Sequence, residues 1–115
     1  MVLAALLAAF PVLGEELRGK PRVLGGDIIE VGGQQIRLFG IDAPEVGQEC
    51  RSSKGRPYGC GVLAARALLG IIGRENVVCQ GEQRDRNGRL VAVCYVGAVG
   101  WLNINELMVA NGWAL

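Results

Sequence analysis

The chain has 115 residues, half of them apolar, with twelve basic and eleven acidic side chains that leave a net charge of +1. That length suits one core and one domain, and the balance excludes a global field that would draw the chain to nucleic acid or an anionic membrane, so any polyanion binding must be local. No histidine is present, which removes imidazole-based triads, histidine-ligated zinc and a histidine general base, and leaves carboxylates, arginines and a hard metal for any hydrolytic chemistry.

Residues 2–13 form an uncharged apolar run, too short for a membrane span and sized like the h-region of a secretory signal, although the basic n-region is missing. Residues 1–14 are therefore expected to be an apolar leader, the remnant of a signal peptide, with a structural first strand or helix as the competing expectation. Residues 22–31 and 34–39 predict two strands joined by Gly32 and Gly33 as a two-residue hairpin turn.

The stretch 36–45, IRLFGIDAPE, carries the most information. Alternation predicts Ile36, Leu38 and Gly40 on one face and Arg37, Phe39 and Ile41 on the other, so that charge gathers at the strand's far end. Pro44 fixes its own φ and biases Ala43 toward extended backbone, which would hold Asp42 and Glu45 in a stiff geometry. Residues 46–59 turn polar and irregular and predict a loop, with Arg51, Lys54 and Arg56 solvated on it.

Residues 60–72 space Leu63, Ala64, Ala67, Leu68 and Ile71 as the buried stripe of an amphipathic helix that Gly73 ends. Residues 76–80 and 90–95 predict two further strands around a tight turn at Asn87 and Gly88. Asn103 and Glu106 are spaced as a capping box, with Leu102 and Leu107 at its staple positions, and Gly112 closes the helix that starts there. Trp101 and Trp113 are expected to pack at the core or its edge.

Four cysteines, at 50, 60, 79 and 94, contain no CxxC pair, so two disulfides fit better than a zinc knuckle. Cys79 and Cys94 fall nearly opposite each other in the predicted hairpin, within reach of the roughly 4.4 to 6.8 Å Cα separation a disulfide needs. Cys50 with Cys60 would then bracket the polar loop, and paired cysteines together with the leader predict export, to the periplasm or outside the cell. Ten of the twelve cations are arginines, a bias toward planar, bidentate contacts with phosphate or carboxylate.

The element order predicts a mainly β, α+β fold: a five-stranded Greek-key barrel of the OB type with two packed helices. From about Arg22 to Ala114, through GGDIIEV, IRLFGIDAPE, QEC, YGCG, DRNGRLVA, LN and NGWA, the chain resembles the staphylococcal-nuclease-like (thermonuclease) family. The resemblance implies that residues 15–115 are one such domain, abbreviated at its C-terminus. It also implies that Asp27, Asp42 and the Ala43 carbonyl bind Ca²⁺, a hard ion that takes oxygen ligands. Glu45 would orient or deprotonate the attacking water, and Arg37 and Arg89 would meet the charge on the phosphate.

The implied activity is calcium-dependent hydrolysis of DNA and RNA with little sequence preference, leaving 3′-phosphate ends, by a monomer with no stable membrane association once the leader is removed. Met singly, Arg37 with Asp42 is equally a structural ion pair, Asp27 a turn residue and Arg89 a solvated hairpin residue; together they describe a site. Where the family commonly has DGDT, this chain has Gly25, Gly26, Asp27 and Ile28, which predicts weakened metal binding without loss of catalysis. Asn87 stands where relatives often carry an aromatic, which predicts poorer base stacking. The alternative function is a non-catalytic nucleic-acid-binding module with a degraded metal site.

Overall fold

The computed structural model describes residues 14–97 and 101–115, so the apolar run at 2–13 lies outside the described residues. The strands are β1 (Glu15–Gly19), β2 (Arg22–Val23), β3 (Ile28–Val31), β4 (Gln34–Leu38), β5 (Cys50–Arg51), β6 (Pro57–Tyr58), β7 (Val77–Arg84), β8 (Leu90–Val96) and β9 (Leu102–Asn103). Two helices accompany them, α1 (Cys60–Ile72) and α2 (Ile104–Ala110).

The main sheet runs β1-β7-β8-β4-β3-β2, with β9 added to β8. Its two ends are neighbours in sequence: only Lys20 and Pro21 separate β1 from β2, and Pro21 has no N–H with which to continue a ladder. β1 and β2 therefore act as one bent strand that pairs with β7 on one side and β3 on the other. Counted this way, with β3, β4, β7 and β8, the sheet curls as the expected five-stranded OB-type barrel, and the fold is mainly β with two helices.

Period-two alternation builds the interior. Ile29, Val31, Ile36, Leu38, Leu90, Ala92, Cys94 and Val96 point inward and are buried, while Arg37, Val91, Val93 and Tyr95 take the outer positions. Ile36 and Leu38 are fully buried, each contributing about 2 kcal/mol by removal of apolar area from water. The hairpin from β3 to β4 turns at Gly32 and Gly33, whose φ values of 58° and 78° are those of the mirror-image turn that matches strand twist.

Several expectations needed correction. The strand expected at 22–31 is broken: Leu24 and Gly25 both donate backbone N–H groups to the Ile28 carbonyl, which folds β2 back on β3. Ile41 is buried, not outward, because Gly40 takes φ 77° after β4 and resets the alternation. Helix α1 has its expected bounds but buries Cys60, Gly61, Ala64, Leu68 and Ile72, leaving Leu63 exposed. The loop at 46–59 contains the short β5–β6 pair.

β7 runs on past residue 80 through a bulge between Gln80 and Gln83, where Gly81 is required because a Cβ there would overlap the Val91 carbonyl oxygen. The following turn is wider than expected: Asn87 keeps a negative φ, and Asp85 and Arg89 close it. Asn103 caps α2 by accepting from the Glu106 N–H at 3.1 Å, whereas Leu102, expected in the staple, stands exposed.

Both disulfides form, Cys50–Cys60 and Cys79–Cys94. The second joins directly opposed residues of β7 and β8 at a Cα separation of 4.1 Å, slightly under the expected window. Among the described residues, Asn105 is the one buried polar side chain; its amide donates to the Phe39 and Ala92 carbonyls at 2.9 and 3.1 Å and its oxygen accepts from Cys94 N–H at 3.1 Å. That satisfied triple contact ties α2 to β8 and to the exit of β4.

Candidate functional site

Three chain segments converge where β4 ends. The turn at 24–27 packs so closely on the next segment and on α1 that a Cβ at Gly26 would lie 2.8 Å from the Cβ atoms of Ala43 and Ala64. Asp27, half-buried at the end of that turn, accepts a hydrogen bond at Oδ2 from the Ala43 N–H at 3.1 Å, and its carbonyl accepts from Leu38 N–H at 2.8 Å. Residues sixteen positions apart are thereby joined, with Oδ1 of Asp27 outside the bond.

Asp42 follows the Gly40 turn with its side chain exposed and its backbone fixed by a reciprocal pair with Leu115, Asp42 N–H to O at 3.1 Å and Leu115 N–H to O at 2.9 Å. Ala43 is buried and Glu45 exposed, one residue beyond Pro44. The backbone of Glu45 is closed at both groups by Gln48: the Gln48 N–H donates to the Glu45 carbonyl at 2.8 Å, and the Glu45 N–H donates to Gln48 Oε1 at 3.3 Å.

Arg37 and Arg89 share the outer face of adjacent parallel strands. Arg37 is registered with Val91 and Ile36 with Leu90, so Arg89, next before Leu90, is the diagonal neighbour of Arg37. Arg89 is half-buried and already held, with Nε donating to Gln35 Oε1 at 2.9 Å and Nη1 lying 3.7 Å from Asp85. Desolvation works to raise the Asp85 carboxyl, but the backbone N–H groups of Arg89 and Asn87, with the Arg89 charge, outweigh it and hold the group below the ordinary aspartate value.

Among the described residues, Arg37, Asp27, Asp42 and Glu45 enter no ion pair. An Arg37–Asp42 structural pair is therefore not formed. Two clefts on the outer face of the barrel, about 600 and 250 Å³, are lined mainly by β1, β7 and β8 residues with Phe39 and Trp101, and neither includes any of the six candidate residues. Trp101 stands 61% exposed at that edge, outside the core.

The donor set of Asp27, Asp42 and the Ala43 carbonyl is all oxygen, which suits a hard cation that accepts water for its remaining positions. No group of three or more acidic, histidine or cysteine side chains close enough to hold a metal occurs among the described residues, so any ion here would rest on two carboxylates and backbone oxygen. Among the described residues, Asp27 Oδ1 lies outside any hydrogen bond and neither aspartate has a cation partner, which fits that arrangement. The residues that the sequence alone did not single out are the braces: Gln48 and Asp85, which hold neighbours two to four residues away, and Gln35 and Asn105, whose roles depend on partners far along the chain.

The model of the family described as staphylococcal nuclease homologue matches residues 35–115, a span that holds Arg37, Asp42, Ala43, Glu45 and Arg89 and begins after Asp27. The chain is 34% identical to "Succinoglycan biosynthesis protein ExoI" of Rhizobium meliloti (strain 1021), across 99% of this chain and 60% of that protein. It is 32% identical to "Protein ParB" of Escherichia coli, across 97% of this chain and 63% of that one. It is 33% identical to "Micrococcal nuclease" of Shigella flexneri, across 81% of this chain and 53% of that one. The chain thus spans 53% to 63% of the length of these curated relatives.

Proposed function

Since the chain belongs to the staphylococcal nuclease family, we propose that it hydrolyses phosphodiester bonds in DNA and RNA in a calcium-dependent reaction of low sequence specificity, leaving 3′-phosphate ends. The observation that carries the proposal is the Ala43 N–H to Asp27 hydrogen bond, which draws the Asp27 turn onto the Asp42–Glu45 segment beside Arg37. In this reading Asp27, Asp42 and the Ala43 carbonyl hold Ca²⁺. When bound, the ion supplies positive charge against a phosphate oxygen.

The chain's own residues divide the remaining work. Glu45 orients the attacking water and accepts its proton as the new P–O bond forms in line with the breaking bond to the 5′-oxygen, which takes a proton from solvent. Arg37 and Arg89 donate to the equatorial oxygens, where negative charge accumulates in the transition state. Arg89 needs little reorganisation, since Gln35 and Asp85 already orient it. Weak sequence preference follows because the groups aimed at substrate meet phosphate, not base edges.

Gly25 and Ile28, in place of an acidic and a hydroxyl residue, are expected to weaken calcium binding without abolishing catalysis. Two disulfides fit an oxidising compartment, and among the described residues no helix is long and apolar enough to cross a membrane; export and a monomeric state complete the proposal. The test is to incubate purified protein with single-stranded DNA, with Ca²⁺ or with chelator, alongside Glu45→Gln. Calcium-dependent cleavage that Glu45→Gln lowers by about 100-fold or more supports the hydrolase. Retention of DNA without cutting under every condition selects a binding module instead.

A further inference from the structure

The turn that carries Glu45 has its own brace. Residues 45–48 close as a turn through the Gln48 N–H and the Glu45 carbonyl at 2.8 Å, and the Gln48 side chain reaches back so that Oε1 accepts from the Glu45 N–H at 3.3 Å. One residue thus engages both backbone groups of Glu45, which restricts the φ and ψ that aim its carboxylate.

The same residue ties the turn to rigid structure. The Gln48 carbonyl accepts from the Gly61 N–H at 3.3 Å, in the first turn of α1. Gly61 lies so close to Glu45 that a Cβ there would overlap the Glu45 carbonyl oxygen. The Cys50–Cys60 disulfide fastens the chain two residues beyond Gln48 to the same helix start. Glu45 itself is exposed and unpaired among the described residues, so nothing contacting its carboxylate holds it in place; its aim comes from its backbone.

We propose that Gln48 is a positioning residue for Glu45, an inference that rests on the role of Glu45 in activating water. Gln48 touches neither the phosphate nor the cation in this account. Its side-chain oxygen and backbone N–H set the backbone of the residue that does the chemistry, and its carbonyl passes the rigidity of α1 to that turn. Small displacements of a catalytic group are costly in rate even when binding is intact.

The test compares Gln48→Met, which keeps length and loses the acceptor, with Gln48→Glu, which keeps an oxygen at the same reach. Single-stranded DNA cleavage is measured with each, with Glu45→Gln, and with the Glu45→Gln/Gln48→Met double variant. Expected are a kcat lowered about 10- to 100-fold in Gln48→Met with KM and melting temperature unchanged, near-normal kcat in Gln48→Glu, and a double variant no slower than Glu45→Gln. Faster hydrogen exchange at the Glu45 amide in Gln48→Met provides a readout independent of activity.

A Gln48→Met enzyme with unchanged kcat, beside an inactive Glu45→Gln, overturns the positioning role and leaves the proposed function standing. A Glu45→Gln enzyme as fast as the original overturns the water-activating role and this inference together. Unchanged exchange at the Glu45 amide in Gln48→Met removes the brace whatever the activity.

Discussion

The two halves of the candidate site are built by opposite means. Arg37 and Arg89 stand on β4 and at the entry to β8, inside a ladder whose inner face is fully buried and whose β7–β8 pairing is locked by Cys79–Cys94. Asp42, Ala43 and Glu45 lie on irregular backbone, pinned at separate points by Leu115, Asp27 and Gln48. The cationic half is positioned by periodic structure and the anionic half by individual ties. Damage to the first should therefore show as chemistry lost from an intact fold, and damage to the ties between the halves as lost stability and lost alignment together.

The largest expected effect comes from the cationic half. Arg37→Met and Arg89→Met should each lower kcat/KM by about 100-fold or more, equivalent to about 3 kcal/mol of transition-state stabilisation, with melting temperature unchanged in Arg37→Met and only slightly lower in Arg89→Met, which loses its bonds to Gln35 and Asp85. Steady-state kinetics beside calorimetry would check this; loss of stability matching the loss of rate would erase the distinction drawn between the halves.

Next is the link itself. Asn105→Ala removes the amide that bridges the Phe39 carbonyl and the Cys94 N–H and leaves the buried Cys94 N–H and the part-buried Phe39 carbonyl without that partner. The expected destabilisation is at least about 2 kcal/mol, read as a fall of roughly 10 °C in melting temperature. An unchanged melting temperature would show that water replaces the amide and that α2 does not align the exit of β4.

The smallest effect belongs to the hairpin brace. The folded-state pKa of Asp85 lies below its ordinary value, so between the two values the unfolded chain binds more protons, and stability rises with pH through that window. The Asp85 contribution is therefore fully present above the ordinary aspartate range and is lost as pH falls through the lowered value. Asp85→Asn should lower melting temperature slightly at neutral pH and by less as pH falls through the acid range. A difference that does not shrink on acidification would assign the effect to the turn's shape instead of its charge.

What could be read from sequence follows the same division. The bounds of α1, the β3–β4 turn and the alternation of Ile36 and Leu38 are local patterns, and they appeared as expected. β1 was not expected, because EELRG has no apolar alternation; it exists through pairing with β7, supported by Arg84 gripping Glu15 from sixty-nine residues away. The candidate residue types were visible in IRLFGIDAPE and its companions, but that Asp27 would meet Ala43 depended on the β2–β3 fold-back. Burial of Ile41 was masked by the positive φ at Gly40, and Asn105 carries no local signal of the Phe39 carbonyl it holds sixty-six residues away.

The central claim is that the tie between the Asp27 turn and the Asp42–Ala43 segment creates one cation site, and calcium titration followed by calorimetry tests it most directly. The original chain should bind one Ca²⁺ with measurable heat at millimolar concentration or below, and both Asp27→Asn and Asp42→Asn should abolish that heat while leaving the fold intact. No calcium binding by the original chain at millimolar concentration, or binding that survives both substitutions, would contradict it.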